Sequence, residues 1–220
     1  MYLEVGAKRT FAGALDWPGW CRSGRGEEAA LQTLVDYGPR YARVLQAAGI
    51  PFQPPANVEA LAVVERLAGN ATTDFGAPDV PLPGDALPLD GPELERLQAV
   101  LGAAWDAMEA AAQAAAGREL RTGPRGGGRD LERVLRHVLD SQQAYLRRLA
   151  WKPEGLAGED LRTELGRTRQ ACLDALGAAA RGALPRQGPR GGAIWPPRVF
   201  VRRSAWHLLD HAWEIEDRVV

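Results

Sequence analysis

The sequence predicts an α+β N-terminal unit followed by an all-α four-helix bundle. Three observations carry this. Short β-prone runs and one helix crowd the first 78 residues. Five prolines, Pro78, Pro81, Pro83, Pro88 and Pro92, fall within a single short stretch. Beyond them the chain turns into long Ala- and Leu-rich segments with helical spacing. The expected division is 1–78 for the α+β unit, 79–89 for a proline-rich linker and 90–220 for the bundle. A linker of that kind implies two units that fold separately.

Taken in order, residues 2–5 and 10–15 read as two strands joined by a Gly-Ala-Lys-Arg turn. Glu27 and Glu28 place acids in the first turn of a helix, where they complement its dipole. Apolar positions at Leu31, Leu34, Val35, Tyr41, Val44 and Leu45 continue it, and Gly38-Pro39 should kink or split it. Residues 60–67 and 72–75 are expected to add two more strands. Asp90 with Glu93 three positions later marks the capped start of the first bundle helix, which runs to 116. The other three are expected at 129–151, 159–183 and 200–220.

Composition narrows the function. The 220 residues are 45% hydrophobic and 25% charged, enough apolar material for a sizeable core. The 27 basic and 28 acidic side chains nearly cancel, so no global basic field exists to hold a nucleic acid. There is no apolar run long enough for a membrane span, and Met1-Tyr2-Leu3-Glu4-Val5 lacks the layout of a signal peptide. Cys21 and Cys172, far apart in sequence, are expected to be free thiols in a cytoplasmic protein. Cys172 reads as a small buried apolar residue rather than a nucleophile. Trp105, Trp151, Trp206 and Trp213 likewise read as core.

The chemistry concentrates on the three histidines, His137, His207 and His211. His207 and His211 are one helical turn apart, so one helix can present both to a single metal ion. His137, on another helix, can complete the set. Three imidazoles with an open position describe a catalytic zinc site, and imidazole also suits nickel, copper or iron. Asp140 and Asp210 each follow a histidine by three positions, and Glu214 follows His211 by three. Carboxylates so placed are candidates to accept the free ring N–H; the competing reading for Glu214, within the polar C-terminal cluster, is surface charge.

The sequence Gly-Pro-Arg-Gly-Gly occurs twice, at 123–127 and 188–192, ahead of the second and fourth bundle helices. If the echo is architectural, the bundle is two helical hairpins with equivalent loops at one end, near the metal pocket. Arg125 and Arg190 from these loops, with Arg203, would then suit an anionic substrate or thiol, against the alternative of solvated loop charge.

With His137, Trp206-His207-Leu208-Leu209-Asp210-His211, Arg202-Arg203-Ser204-Ala205 and Ala212-Trp213-Glu214 in view, residues 90–220 resemble the DinB-like superfamily of four-helix-bundle metalloenzymes. The resemblance implies a divalent transition metal, zinc or nickel first, on His137, His207 and His211. It also implies, for part of the superfamily, a low-molecular-weight thiol as co-substrate in a transferase or isomerase reaction on a small molecule. A metal-dependent hydrolase and a non-catalytic metal-stabilised scaffold are the alternatives. The N-terminal unit resembles the HicB-like fold through Trp17-Pro18-Gly19-Trp20-Cys21, Ser23-Gly24 and Glu27-Glu28-Ala29. No DNA-binding segment accompanies it, so docking or formation of a homodimer is the role expected of it.

Overall fold

The computed structural model describes residues 1–122, 128–152, 160–185, 187–188 and 191–220. A small mixed sheet comes first, with strands β1 (Tyr2–Val5), β2 (Thr10–Gly13), β3 (Cys21–Gly24) and β4 (Glu65–Ala68) in the order β3-β2-β1-β4. The first three form an antiparallel meander, with Leu3 opposite Ala12 and Phe11 opposite Ser23. β4 returns parallel to β1 after a crossover through helices α1 (Glu27–Asp36) and α2 (Gly38–Ala47). The expected break falls where Gly38-Pro39 stands, with proline in the first turn of α2, where its missing N–H costs nothing.

Period-two alternation gives the sheet two buried faces. Leu3 and Ala12 join Ala30 and Leu34 of α1, whereas Phe11 and Cys21 face the other way, onto Trp206. Gly13 is required here because the Tyr2 ring lies across the strand pair and occupies the space that a Cβ would need.

Three details differ from the sequence expectation. Residues 71–75 form a short helix, α3 (Ala71–Phe75), instead of a strand. Asn70 caps it by accepting from the Thr72 and Thr73 amides while Thr73 Oγ1 accepts from the Asn70 amide, so the local capping box overrides the β-propensity of the threonines. Of 60–67 only the end is strand, after a 3-10 turn at Val58–Ala60. β3 has no run of apolar residues to announce it and forms because it pairs with β2.

The helical region contains α4 (Gly91–Ala114), α5 (Leu131–Arg148), α6 (Leu161–Ala180) and α7 (Pro197–Arg218). Asp90, Asp130 and Asp160 cap the first three through their side chains. Arg198 at the start of α7 pairs with Glu93 at the start of α4, and the Arg121 amide beyond α4 donates to Arg218 O at the end of α7, so these two run parallel. α5 is antiparallel to α7, since the Trp195 amide ahead of α7 donates to Arg148 O at the end of α5. Arg169 reaches Asp106 and Gln98 reaches Leu173 O, which sets α6 antiparallel to α4.

This arrangement removes the two-hairpin reading. α4 packs on α6 and α7, and α5 on α6 and α7, so the consecutive helices α4 and α5 lie diagonally. The described flanks of the two Gly-Pro-Arg-Gly-Gly segments therefore lie at opposite ends. Arg121 and Arg129 sit beside the end of α7, and Trp195 beside its start.

The proline-rich stretch is packed rather than free. Glu4, fully buried, accepts from the Asp79 and Val80 amides, and Asp85 accepts from the Leu82 amide. Asp85 forms a bidentate pair with Arg202, and Arg198 donates to the carbonyls of Leu87 and Pro88. One core also runs through both units, joining Leu3, Trp20 and Tyr41 to Leu97, Leu101 and Leu209. Gly19, at φ 92°, lets the Trp17–Trp20 turn rest directly on Ala205 and Leu209 of α7.

Asp85→Ala should lower stability by about 3–5 kcal/mol, because it strands the buried Arg202 guanidinium without a counter-charge. Chemical denaturation of the two proteins measures this, and a loss below about 1 kcal/mol, what an exposed pair contributes, shows the pair to be dispensable. A fragment beginning near Leu87 uncovers Trp206 and Leu209, and is expected to melt earlier than the full chain or to aggregate. An unchanged melting temperature would establish separate folding of 90–220.

Candidate metal centre

His207 and His211 lie on one face of α7, and His137 meets them from α5. The ring centroids are 4.6 Å apart within the pair, and 5.1 and 5.0 Å from His137 to His207 and His211. The Nε2 atoms of His137 and His207 approach to 3.2 Å, and one nitrogen from each of the three rings lies within 4.8 Å of the others. The 3.2 Å pair matches two donors on one ion at the roughly 2.0–2.1 Å bonds usual for zinc, with the His211 nitrogen close by as the third. The chemistry of the donors also fits. Burial, then the neighbouring His211, push His137 down to about 4, and burial with both neighbours drives His207 well below its ordinary value. Both rings are therefore neutral at pH 7, the form that binds metal.

Beyond the ring edge, His211 Nδ1 is 2.8 Å from Glu214 Oε2, and Glu214 Oε1 accepts from Arg218 Nη1 at 2.6 Å. Arg218 is buried and donates its other two groups to Arg121 O and Arg129 O, so the segments flanking residues 123–127 fix the carboxylate. The hydrogen bond from His211, aided by Arg218, holds the Glu214 carboxyl down at about 2. It is a permanent anion that orients His211 with Nε2 toward the other two rings.

The remaining sequence candidates are placed differently. Asp210 accepts from Arg22 of β3 at 2.9 Å, and Arg22 also lies over the Tyr37 ring at 4.1 Å. Its partner is thus the N-terminal unit. Asp140 is exposed and acts on His137 only through its charge, a small upward influence. Arg203 donates to Tyr145 Oη at 3.2 Å and to Pro78 O, with the Trp206 ring 5.1 Å away. Arg125 and Arg190 lie outside the described residues. Sequence reasoning misses Tyr145, whose ring centroid is 5.8 Å from that of His207, and Arg218. Both carry a signal: Tyr145 is a little over two turns past His137, about 80° round the helix, and Arg218 follows Glu214 at the i,i+4 spacing of a helical ion pair.

Neither cysteine contributes a reactive thiolate. Burial pushes Cys21 up to about 12 and raises Cys172 further.

Helical packing of this kind, with histidines from two helices converging beneath a carboxylate, defines a class of helical proteins able to hold a divalent metal. The DinB superfamily model matches residues 100–215, just over half of the chain, and the protein belongs to that superfamily. Comparison with curated proteins and with solved structures gives no match.

Acid should destabilise the metal-free protein in a definable window. His137 titrates at 6.5 when unperturbed and at about 4 when folded, so between these values the unfolded chain binds the extra proton. Stability is complete above pH 6.5 and falls as the pH drops toward 4; Glu214 extends the loss toward 2. Denaturation midpoints from about pH 8 down to 4 test this, and the triple His→Ala variant should lose most of the slope between 6.5 and 4. An identical slope in that variant assigns the acid sensitivity elsewhere.

Proposed function

We propose that the protein is a divalent-metal-dependent enzyme that uses a low-molecular-weight thiol, of the transferase or isomerase type, with His137, His207 and His211 as the metal ligands. The observation that carries this reading is the convergence of three imidazoles at the α5–α7 contact in a chain of the DinB superfamily. Zinc or nickel suits three nitrogen donors. When bound, such an ion supplies Lewis acidity and lowers the pKa of a thiol or water brought to it. The chain's own part is to hold the rings. Glu214 and Arg218 fix His211, and α7 spaces His207 one turn away.

Two further features support an external thiol on an anionic molecule. Both cysteines are buried with raised pKa values, so the chain offers no thiolate of its own. Arg203 has no carboxylate partner among the described residues, and it stands beside His207 with Nε on the Tyr145 phenol and Nη1 on Pro78 O. Its remaining amino group, Nη2, suits a carboxylate of substrate or thiol. In the same reading, 90–220 is the four-helix bundle of a cytoplasmic enzyme, and the N-terminal unit is HicB-like, serving docking or homodimer formation. The position of Arg22 on Asp210 fits that role, since it ties the unit to the helix that bears two of the ligands.

Elemental analysis after growth with added zinc or nickel should give one metal per chain. His211→Ala should abolish binding, Glu214→Gln should weaken it about 10- to 100-fold, and Asp210→Asn should leave it unchanged. Stoichiometric metal in the triple His→Ala variant overturns the ligand set. The loaded protein, offered a panel of small thiols and a chromogenic electrophile, should consume thiol. Ester cleavage without thiol consumption makes it a hydrolase, and a metallated protein inert to both is a scaffold.

A further inference from the structure

Beside the histidines, the interior of the helices holds a set of polar groups with no hydrogen-bond partner among the described residues. They are both ends of the Gln142 carboxamide, Thr168 Oγ1, Ser204 Oγ and His207 Nδ1. All four residues are more than nine-tenths buried. They come from three helices, and helix register brings them to one level. α5 and α7 run antiparallel, with His137 against His207 and Tyr145 against Arg203. Gln142, between His137 and Tyr145, therefore falls opposite Ser204, which precedes His207 by three positions on the same face. Gln142 is in the buried stripe Val138, Gln142, Leu146, so it points to the interior while His137 flanks the stripe. α6 brings Thr168 in near this level, because Glu164, one turn earlier, pairs with Arg136 of α5.

A carboxamide sealed among apolar side chains with neither end paired is costly, and interiors resolve such groups with ordered water. His207 adds a demand of its own. Its Nε2 faces His137, so Nδ1 is turned away from the trio and must carry the proton whenever Nε2 offers its lone pair. His211 has Glu214 for that purpose, whereas His207 has no carboxylate among the described residues.

We infer that Gln142, with Ser204 and Thr168, holds a small cluster of ordered water inside the helices and through it accepts the Nδ1–H of His207. Gln142 is a positioning residue of the metal centre, acting from the opposite side to Glu214. Its effect is to keep His207 in the Nδ1–H tautomer, with the Nε2 lone pair aimed at the other two rings. This assignment rests on the proposed metal reading, but its first test needs no metal.

Long-range nitrogen-15 NMR of the metal-free protein at about pH 7.5 should show His207 protonated on Nδ1. In Gln142→Leu, of similar volume and apolar, the signal should shift to a mixture of tautomers, while Gln142→Glu, which keeps an acceptor, should retain Nδ1–H. Ser204→Ala, a smaller change, should shift the tautomer the same way if the leucine variant does not fold. An unaltered tautomer in whichever of these two variants folds overturns the inference. Titration with cobalt(II), followed by its visible spectrum, then gives the second readout. Gln142→Leu should bind about 10- to 100-fold more weakly than wild type. Equal cobalt affinity in a variant with a mixed tautomer also overturns the positioning role. Failure of wild type to bind cobalt at all overturns the metal reading instead and leaves the tautomer result standing.

Discussion

Helix α7 must satisfy two neighbours at once, and most of the structure follows from that demand. Ala205, Trp206, Leu209 and Trp213 meet the N-terminal unit, where Trp206 sets its ring edge-on to Phe11 and Trp213 packs at a tilt on Tyr37. The same helix turns His207 and His211 toward α5. Residues on nearly every side of α7 are buried, the polar Ser204, His207, His211 and Arg218 among them, so the helix is enclosed although its sequence is not apolar all round. A helix so enclosed cannot rotate or slide without opening two interfaces, and the histidine pair inherits that rigidity. The N-terminal unit is thereby part of what fixes the site, although it supplies none of the three imidazoles.

Arginine carries much of the work at these junctions. Arg22, Arg40, Arg198, Arg202 and Arg218 each bind more than one group, mixing carboxylates with backbone carbonyls or aromatic faces, and Arg203 joins a backbone carbonyl to a phenol. A guanidinium can do this because its donors diverge from a rigid plane, whereas a lysine ammonium offers one compact charge on a flexible stem. Arg218 shows the difference: it reaches Glu214, Arg121 O and Arg129 O together. The chain has only two lysines, Lys8 and Lys152. The positions of these arginines give them a structural use.

Elements with strong local signals are legible in the amino-acid sequence itself. The Asp90 cap, the break at Gly38-Pro39 and the four long helices follow from capping chemistry, proline geometry and apolar spacing, all of which act within a few residues. The three histidines are legible as a group because the i,i+4 spacing of His207 and His211 is itself geometric. Relations across the fold are not. Asp210 looks like a histidine partner by spacing, yet Arg22, distant in sequence, takes it. The repeated Gly-Pro-Arg-Gly-Gly segments suggest equivalent loops, but the order in which four helices pack is decided by long-range burial. β3 escapes a sequence reading for a related reason, since it depends on a neighbouring strand. α3 is different: its signal is local, an Asn70–Thr73 capping box that overrides the β-propensity of the threonines.

The two sides of the histidine cluster differ in electrical character, and this bears on what the site can do. Glu214, held as an anion by the His211 hydrogen bond and then by Arg218, makes His211 electron-rich and a strong donor. His207 has a neutral polar surrounding on its far side, and the nearby Arg203 further disfavours a proton on it. His137 is half-buried, with positive Arg129 and negative Asp140 acting on it in opposite directions. Three chemically similar imidazoles are thus given three unequal environments. An ion held by them would feel its strongest donor on the side of Glu214 and Arg218. Arg203, Tyr145 and Trp195 lie toward the opposite end of α7, where Arg203 and Trp195 line a cleft that also borders Pro78 and Asp79. That polarity gives the centre a direction. The carboxylate anchors one side, and the Arg203 cation and the aromatic rings of Tyr145 and Trp195 shape the other.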